Sequence, residues 1–316
     1  MPRHDLIVLG GGPAGLTAAL YGRRAGLDVL VVEMNVCGGQ MRLTSNVENW
    51  PGSALISGEE LSEKMREQAA SFGVQFLGAQ VEGLQVGPPP SKGPAGAGGP
   101  KIVKTSEGDL EAYAVVVATG AVHRSLECPG AEKFNGRGVS FCAVCDAGFF
   151  RGQEVAVVGG GNAALEQAMY LTGYCAKVSL VHRRDQFRAD GLIQRRLADF
   201  PQITPVMSSV VTAIEGTDEV ELLRLRRVDT GAESELPVTG VFVFVGVAPN
   251  SGFLPPEVKR TEGGWVICDE HLETSCRGVY AAGDVRDTDL RQIVSAAGDG
   301  ARAAMNAYRQ IQGLTA

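Results

Sequence analysis

Two glycine loops, each placed between an apolar strand and a helix, constrain the fold of this chain more than any other feature. The first loop is Gly10-Gly11-Gly12-Pro13-Ala14-Gly15, and the second is Gly159-Gly160-Gly161-Asn162-Ala163-Ala164. In a β-α-β unit, such a turn lets the backbone approach a pyrophosphate at the amino end of the helix. The sequence therefore predicts an α/β protein with two Rossmann-like dinucleotide-binding domains.

The first loop has the full sequence context of a dinucleotide site. A strand is predicted over 5–9, a helix over 13–25 and a second strand over 27–32, after which Glu33 can accept hydrogen bonds from an adenosine ribose. The alternative is a glycine-rich tight turn that binds no ligand. The candidate cofactor-binding residues of this unit are Gly10, Gly12, Pro13, Ala14, Gly15 and Glu33.

The second loop is followed by a basic segment instead of an acid. A strand over 154–158, a helix over 163–172 and a strand over 177–181 are predicted, and the last strand leads to His182-Arg183-Arg184 and then Arg188. Arginines bind a ribose 2′-phosphate, which a carboxylate would repel, so NADPH is favoured over NADH. Taken alone, the arginines would indicate a solvated basic face. The candidate residues here are Gly159, Gly161, Asn162, Ala163, His182, Arg183, Arg184 and Arg188.

Between the loops lies Cys142-Ala143-Val144-Cys145-Asp146. A Cys-x-x-Cys pair supplies two zinc ligands, but a structural zinc needs four and no second pair lies nearby, so no metal site is predicted. A redox-active pair fits better, because such thiols have shifted acidity and form a disulfide readily. Asp146 is predicted to move a proton for the thiols, and the alternative role of a helix cap is compatible with it. Together, the two loops and the thiol pair indicate an electron path from a nicotinamide through a flavin to a disulfide.

The restart of the β-α-β pattern predicts that one nucleotide domain is inserted within the other. The inserted domain is expected over 124–244, and the discontinuous outer domain over 1–123 and 245–316. The stretch 87–100 is rich in glycine and proline and is expected to be a surface loop.

Composition excludes several other classes of function. A net charge of -7 argues against a nucleic-acid partner, and no apolar run approaches the roughly 20 residues of a membrane span. The amino terminus lacks a signal-peptide pattern, and the odd count of 7 cysteines does not suit a disulfide framework. We therefore expect a cytoplasmic protein whose isolated cysteines are small, buried and reduced.

The motifs together resemble those of the bacterial low-molecular-weight thioredoxin reductases along essentially the whole chain. Besides the loops, the thiol pair and the basic segment, the resemblance rests on five further runs. These are Gly38-Gly39-Gln40, Val47-Glu48-Asn49-Trp50-Pro51-Gly52, Ala118-Thr119-Gly120 and Ala281-Ala282-Gly283-Asp284, with Arg291-Gln292-Ile293 following the last of them.

The resemblance implies a homodimeric flavoenzyme that reduces thioredoxin. FAD would bind in the outer domain, and NADPH in the inserted domain that carries the thiols. Cys145 would lie nearest the flavin, Cys142 would attack the substrate disulfide, and Asp146 would be the acid or base. The family also alternates between two domain orientations, with hinges expected near Arg124 and Phe244. Further residues expected to contact FAD are Gly39, Gln40, Asn49, Thr119, Gly120, Gly283, Asp284, Arg291, Gln292 and Ile293.

The chain departs from the family pattern at a few positions. The run after Asp146 is one residue longer than usual, Asn162 stands where aspartate is common, Val247 where histidine is common, and Val36-Cys37 is unusual. None of these changes removes a group that the chemistry requires. The alternatives are a flavin-dependent dithiol oxidase, a reductase of another thioredoxin-like or peroxiredoxin partner, and a zinc-stabilised nucleotide-binding module.

Overall fold

The computed structural model describes residues 1–43, 47, 49–87 and 99–314. The chain forms two compact units. One combines Met1–Val122 with Ala248–Ala316, and the other is His123–Val247. Most of the glycine- and proline-rich stretch, 88–98, lies outside the described residues.

The regular elements are mostly strands, in runs that the helices interrupt. In chain order the strands are β1 (Arg3–Leu9), β2 (Val29–Glu33), β3 (Gln75–Gly78), β4 (Val81–Val86), β5 (Lys101–Thr105), β6 (Gly108–Val117), β7 (Ala121–His123), β8 (Val139–Ser140), β9 (Glu154–Gly159), β10 (Lys177–Val181), β11 (Ile203–Val206), β12 (Ser209–Glu215), β13 (Leu222–Arg227), β14 (Glu233–Pro237), β15 (Gly240–Phe244), β16 (Val247–Pro249) and β17 (Val279–Ala281). The α-helices are α1 (Pro13–Arg24), α2 (Gly58–Ser71), α3 (Ala143–Asp146), α4 (Asn162–Leu171), α5 (Gly191–Leu197) and α6 (Ile293–Ile311).

The sheet of the first unit has the strand order β3-β2-β1-β6-β5-β4. Strands β3, β2, β1 and β6 are parallel, whereas β4 and β5 add as an antiparallel meander. The end of β6 also pairs in parallel with β17. Strand β1 therefore lies inside the sheet, and the first glycine loop begins at its carboxyl end.

Both faces of this sheet are covered, which explains why β1 is apolar at every position from Leu6 to Leu9. Leu6 and Val8 belong to the core that packs against α1 and α6. Ile7 and Leu9 belong to the opposite core, which is covered by the meander through Leu84. The result is a three-layer β/β/α arrangement.

The second unit repeats this plan. Its five-stranded sheet has the order β11-β10-β9-β15-β8, and every pairing in it is parallel. A three-stranded antiparallel sheet, β12-β13-β14, forms a separate layer. Strand β9 lies inside the parallel sheet and delivers the second glycine loop to the amino end of α4. This is the predicted α/β class, with a second nucleotide-binding fold interrupting the first.

Among the described residues, no helix combines the length and the hydropathy that crossing a membrane would require.

Helices α1 and α6 pack closely because small residues meet between them. A Cβ atom added at Gly300 would overlap the backbone oxygen of Ala14, which lies in the first turn of α1. A Cβ at Gly298, on the same helix, would meet nothing within 4 Å. The close approach of the two helices therefore requires glycine at position 300, whereas position 298 could hold a larger residue.

We expect Gly300→Ala to destabilise the protein by about 1–3 kcal/mol, since the clash is with backbone and cannot be relieved by a rotamer change. Gly298→Ala is the matched control and should be neutral or stabilising by up to about 1 kcal/mol, as expected for an exposed helical position. Urea unfolding of the two variants measures the difference. Equal stabilities would contradict the close contact.

Candidate active site

The two cysteines of the Cys-x-x-Cys motif form a disulfide at the start of α3. Cys142 is the N-cap residue, and its Sγ accepts a hydrogen bond from the backbone N–H of Cys145 at 3.2 Å. The predicted disulfide is thus confirmed. The disulfide therefore lies at the amino end of a single helical turn, where the backbone N–H of Cys145 faces the Cys142 sulfur.

Asp146 lies beside this pair and is held by a residue that the sequence did not single out. The hydroxyl of buried Ser140 donates to Asp146 Oδ2 at 2.6 Å and accepts from the N–H of Cys142 at 3.1 Å. Burial raises the pKa of the Asp146 carboxyl, and the Ser140 hydrogen bond limits that rise. Asp146 makes no side-chain cap for the 3₁₀ turn Ala147–Phe150 that follows it. The arrangement therefore favours the proton-transfer role over the capping role.

The first glycine loop connects β1 to α1 and carries Gly10 and Gly12, and Pro13, Ala14 and Gly15 form the first turn of the helix. Glu33, at the end of β2, accepts from the N–H of Gly11 at 2.7 Å and from the N–H of Asn35 at 2.9 Å. These bonds join the loop to the turn after β2. A carboxylate can accept about four hydrogen bonds, so Glu33 retains acceptor capacity for a ribose.

Four other residues predicted to contact FAD lie in a 3₁₀ turn or form a long-range side-chain pair. Gly39 and Gln40 open the 3₁₀ turn Gly39–Leu43 and are exposed. Asn49 Nδ2 donates to Gln292 Oε1 at 3.0 Å, so the chain brings together two predicted residues that are 243 positions apart.

Thr119 and Gly120 follow β6, and Asn250 holds them there. Its side-chain amide donates to the carbonyl of Thr119 at 3.0 Å, its backbone N–H donates to Gly120, and its own carbonyl accepts from the Thr119 hydroxyl at 2.6 Å. Sequence reasoning missed Asn250, although an Asn after proline in Val247-Ala248-Pro249-Asn250 is a turn signal.

Gly283 and Asp284 form a 3₁₀ turn after β17 that is fixed by a buried ion pair. The N–H of Gly283 donates to Asp299 Oδ2 at 3.1 Å, and Arg286 binds the same carboxylate at 2.6 Å. Burial raises the pKa of Asp284 to about 6, while the positive charge of Arg291 opposes the rise. The Asp299 carboxylate therefore holds the turn, and the pKa of the acid in the turn lies above its usual range.

Arg291 supplies a donor that fits a bound dinucleotide. Its guanidinium lies over the ring of Trp265 at 4.1 Å, and its buried Nε has no hydrogen-bond partner within the described ranges. Arg291 directly precedes Gln292 and Ile293, at the amino end of α6. Because buried donors are normally paired, this orphaned N–H suits a polar group of a flavin nucleotide.

The second glycine loop is packed against the basic segment. Gly159 ends β9, Gly161 is the N-cap of α4, and Asn162 and Ala163 begin the helix. A Cβ at Gly160 would overlap the ring of His182. His182 is buried beneath the loop, and its ring lies against that of Phe187 with the centroids 5.6 Å apart and the planes tilted by 30°. The structure therefore places His182 under the loop and leaves its Nε2 without a partner in the described part of the chain.

The three predicted arginines lie on the surface of the second unit. Arg183, Arg184 and Arg188 are exposed, and their guanidinium groups make no ion pair with any residue in the ranges given above. Burial lowers the pKa of the His182 imidazole, and the positive charges of these arginines lower it further. Free guanidinium groups beside a glycine loop fit a pyridine nucleotide that carries a phosphate on its ribose.

The remaining cysteines are reduced. Cys37, Cys175 and Cys276 are buried as expected, whereas Cys128 and Cys268 are only partly buried. That expectation was too broad, because these two residues pack at the margins of their cores. Among the described residues, no group of three or more His, Cys, Asp or Glu side chains could hold a metal ion.

Comparisons with known proteins identify the family. Residues 4–300 match the model of the family described as pyridine nucleotide-disulphide oxidoreductase. The chain is 43% identical to a thioredoxin reductase of Listeria monocytogenes, over 98% of this chain and 95% of that one. The crystal structure of a thioredoxin reductase from Streptococcus pyogenes is similar, with a TM-score of 0.90, 41% identity and 99% of each chain covered. A ferredoxin-flavin thioredoxin reductase from Clostridium acetobutylicum is more distant, with a TM-score of 0.53, 30% identity and 99% of each chain covered.

The fold and the cysteine pair thus define an oxidoreductase that works on disulfides with a flavin and a pyridine nucleotide. The chain belongs to the pyridine nucleotide-disulphide oxidoreductase family and, within it, to the thioredoxin reductases. The two Rossmann-like domains expected from the sequence are confirmed by the same comparisons.

The contact between Ser140 and Asp146 generates a pH prediction. Ser140→Ala removes a hydrogen bond that stabilises the carboxylate, so the pKa of Asp146 should rise further above its usual range. The midpoint of the pH–rate profile that disappears in Asp146→Asn should accordingly move to higher pH. Ser179→Ala, at a buried serine on β10, is the control and should leave that midpoint in place. A midpoint unchanged in Ser140→Ala would contradict the contact.

Proposed function

We propose that this enzyme reduces the disulfide of a thioredoxin with electrons from NADPH, which pass through FAD and then through the Cys142–Cys145 pair. FAD, when bound, supplies the two-electron relay between the pyridine nucleotide and the protein disulfide. The observation that carries the proposal is the disulfide at the start of α3, with the partly buried carboxyl of Asp146 beside it.

The cysteines perform two exchange steps. Reduction of the Cys142–Cys145 bond takes up two electrons and two protons and gives two thiols. The thiolate of Cys142 then attacks the thioredoxin disulfide and forms a mixed disulfide, releasing one thioredoxin thiolate that takes up a proton. Cys145 attacks Cys142 Sγ, which re-forms the original bond and releases the second thioredoxin thiol.

Asp146 moves the protons that these steps need. As an acid it protonates the leaving thiolate, and as a base it removes the proton from the attacking thiol. The Ser140 hydroxyl bonds both to the Asp146 carboxyl and to the backbone N–H of Cys142. It therefore fixes the position of the acid relative to the cysteine pair.

We assign FAD to the outer domain expected over 1–123 and 245–316, and NADPH to the inserted domain expected over 124–244. Residues of the first unit that would hold FAD surround its glycine loop and the Gly283-Asp284 turn. They are Gly10, Gly12, Pro13, Ala14, Gly15, Glu33, Gly39, Gln40, Asn49, Thr119, Gly120, Gly283, Asp284, Arg291, Gln292 and Ile293. In the second unit the glycine loop would hold the pyrophosphate of NADPH. The exposed arginines would bind the 2′-phosphate of the same coenzyme.

The electron donor and the acceptor each have a rival. A relative named for ferredoxin shares this fold, so the fold does not determine the donor. The free guanidinium groups of Arg183, Arg184 and Arg188 favour NADPH, and they also disfavour a dithiol oxidase, which needs no such coenzyme. A peroxiredoxin or another thioredoxin-like protein is the rival acceptor.

We further propose that the enzyme is a cytoplasmic homodimer. The resemblance to the thioredoxin reductases supports the dimer, and the five unpaired cysteines suit a reducing compartment. Sedimentation of the flavin-loaded protein would measure the oligomeric state.

The electron path predicts the outcome of an anaerobic titration. NADPH should bleach the flavin absorbance and raise the thiol count of the denatured protein from five to seven, which is the number of free cysteines plus the reduced pair. Cys142→Ser and Cys145→Ser should abolish thioredoxin reduction while leaving the bleaching by NADPH intact. Oxygen uptake driven by a small dithiol, without bleaching by NADPH, would instead support the oxidase.

The basic segment predicts a selective loss of affinity for NADPH. Replacing Arg183, Arg184 or Arg188 with Gln should raise the KM for NADPH by about 10-fold or more, because each charged hydrogen bond contributes about 1.5–3 kcal/mol. The KM for NADH should change little. Arg195→Gln and Arg196→Gln, on α5, are matched controls with the same charge change. Equal effects of all five substitutions would indicate a general loss of positive charge and contradict specific recognition.

A further inference from the structure

The basic segment is fastened to the second glycine loop by a reciprocal pair of side-chain bonds. Asn162 Nδ2 donates to Asp190 Oδ2 at 2.7 Å, and the backbone N–H of Asp190 donates to Asn162 Oδ1 at 2.8 Å. An amide can serve both partners only in this orientation, because one side needs a donor and the other an acceptor. The residue at the start of α4 is therefore bonded to the end of the arginine-bearing segment.

Asp190 makes this contact and does not cap its own helix. It occupies the N-cap position of α5, where an aspartate side chain usually accepts a hydrogen bond from the backbone of its own helix. No such bond is present, and the carboxylate is turned towards Asn162 instead. The contact with Asn162 thus takes the place of a helix cap.

Backbone bonds complete the attachment. The N–H groups of Arg188 and Ala189 both donate to the carbonyl of Gly160, at 2.7 and 3.1 Å. Gln194 Nε2 donates to the carbonyl of Ala189 at 2.6 Å. The segment is therefore tied to the glycine loop at its end, directly next to Arg188.

We propose that Asn162 and Asp190 form a positioning pair that sets the arginines at a fixed distance from the phosphate-binding turn, and so determines selectivity for a 2′-phosphorylated coenzyme. This inference rests on the proposed use of NADPH. Neither residue needs to touch the coenzyme for the pair to act. The pair also accounts for asparagine at 162, since an aspartate there would face the Asp190 carboxylate at hydrogen-bonding distance and repel it.

A charge exchange between the two positions tests the pair. Asn162→Asp sets two carboxylates against each other and breaks the side-chain bond. Asp190→Asn keeps an amide-to-amide bond. The double variant, which combines Asn162→Asp with Asp190→Asn, keeps the bond between the two side chains, because the carboxylate introduced at position 162 accepts from both the side chain and the backbone of residue 190. Its net charge equals that of the original protein.

The binding readout uses flavin-loaded enzyme and calorimetry with two probes, adenosine 2′,5′-bisphosphate and adenosine 5′-monophosphate. Asn162→Asp should weaken binding of the bisphosphate by about fivefold or more and leave the monophosphate nearly unchanged. Its KM for NADPH should rise with kcat unaltered. Asp190→Asn should bind both probes as the original protein does, and the double variant should regain most of the bisphosphate affinity that Asn162→Asp loses. A double variant as weak as Asn162→Asp, or equal weakening of both probes, would mean that the new charge repels phosphate directly and would overturn the proposal.

A second readout does not involve the coenzyme. Hydrogen exchange of the backbone N–H groups of residues 188–190 should be faster in Asn162→Asp and return to the original rate in the double variant. Unchanged exchange in Asn162→Asp would refute the pair even if NADPH is the donor. If the original protein binds the two probes equally, the NADPH proposal fails, while exchange still decides whether the pair holds the segment.

Discussion

Both glycine loops depend on one constraint, the position of a turn at the carboxyl end of an inner parallel strand. Strand β1 lies between β2 and β6, and β9 lies between β10 and β15. A strand flanked on both sides cannot bend away, so the turn at its end is fixed, and the helix that follows directs its free N–H groups at one point. The same geometry places the ends of neighbouring strands, with Glu33 in one unit and His182 in the other, beside each turn.

Polar residues from distant parts of the chain hold the remaining loops of the first unit. Asp299 on α6 accepts a hydrogen bond from the N–H of Gly283. Asn250 bonds both to the backbone carbonyl and to the side-chain hydroxyl of Thr119. These contacts satisfy backbone groups that no helix or sheet pairs. Each such contact fixes a turn that carries candidate FAD-binding residues.

Sequence patterns predicted the parts of the fold that arise from local physics. Apolar runs such as Leu6–Leu9 and glycine turns gave the parallel strands and helices to within a few residues, because both signals are contained in a short window. The bond between Ser140 and Asp146 and that between Asn162 and Asp190 were not predicted. Serine, asparagine and aspartate are common in turns, and only the tertiary fold shows which of them meet.

The surroundings of Asp146 suit a group that must both give and take protons. A fully exposed carboxyl would be too acidic to protonate a thiolate, and one buried without a partner would be too weak an acid to release its proton. Burial raises the pKa of the Asp146 carboxyl, and the hydrogen bond from the Ser140 hydroxyl limits the increase. The two effects therefore act on the same group in opposite directions. The same hydroxyl accepts a hydrogen bond from the Cys142 N–H, so one side chain contacts both the carboxyl and the backbone of Cys142. A change in the turn around Cys142 should therefore alter proton transfer and thiol exchange together.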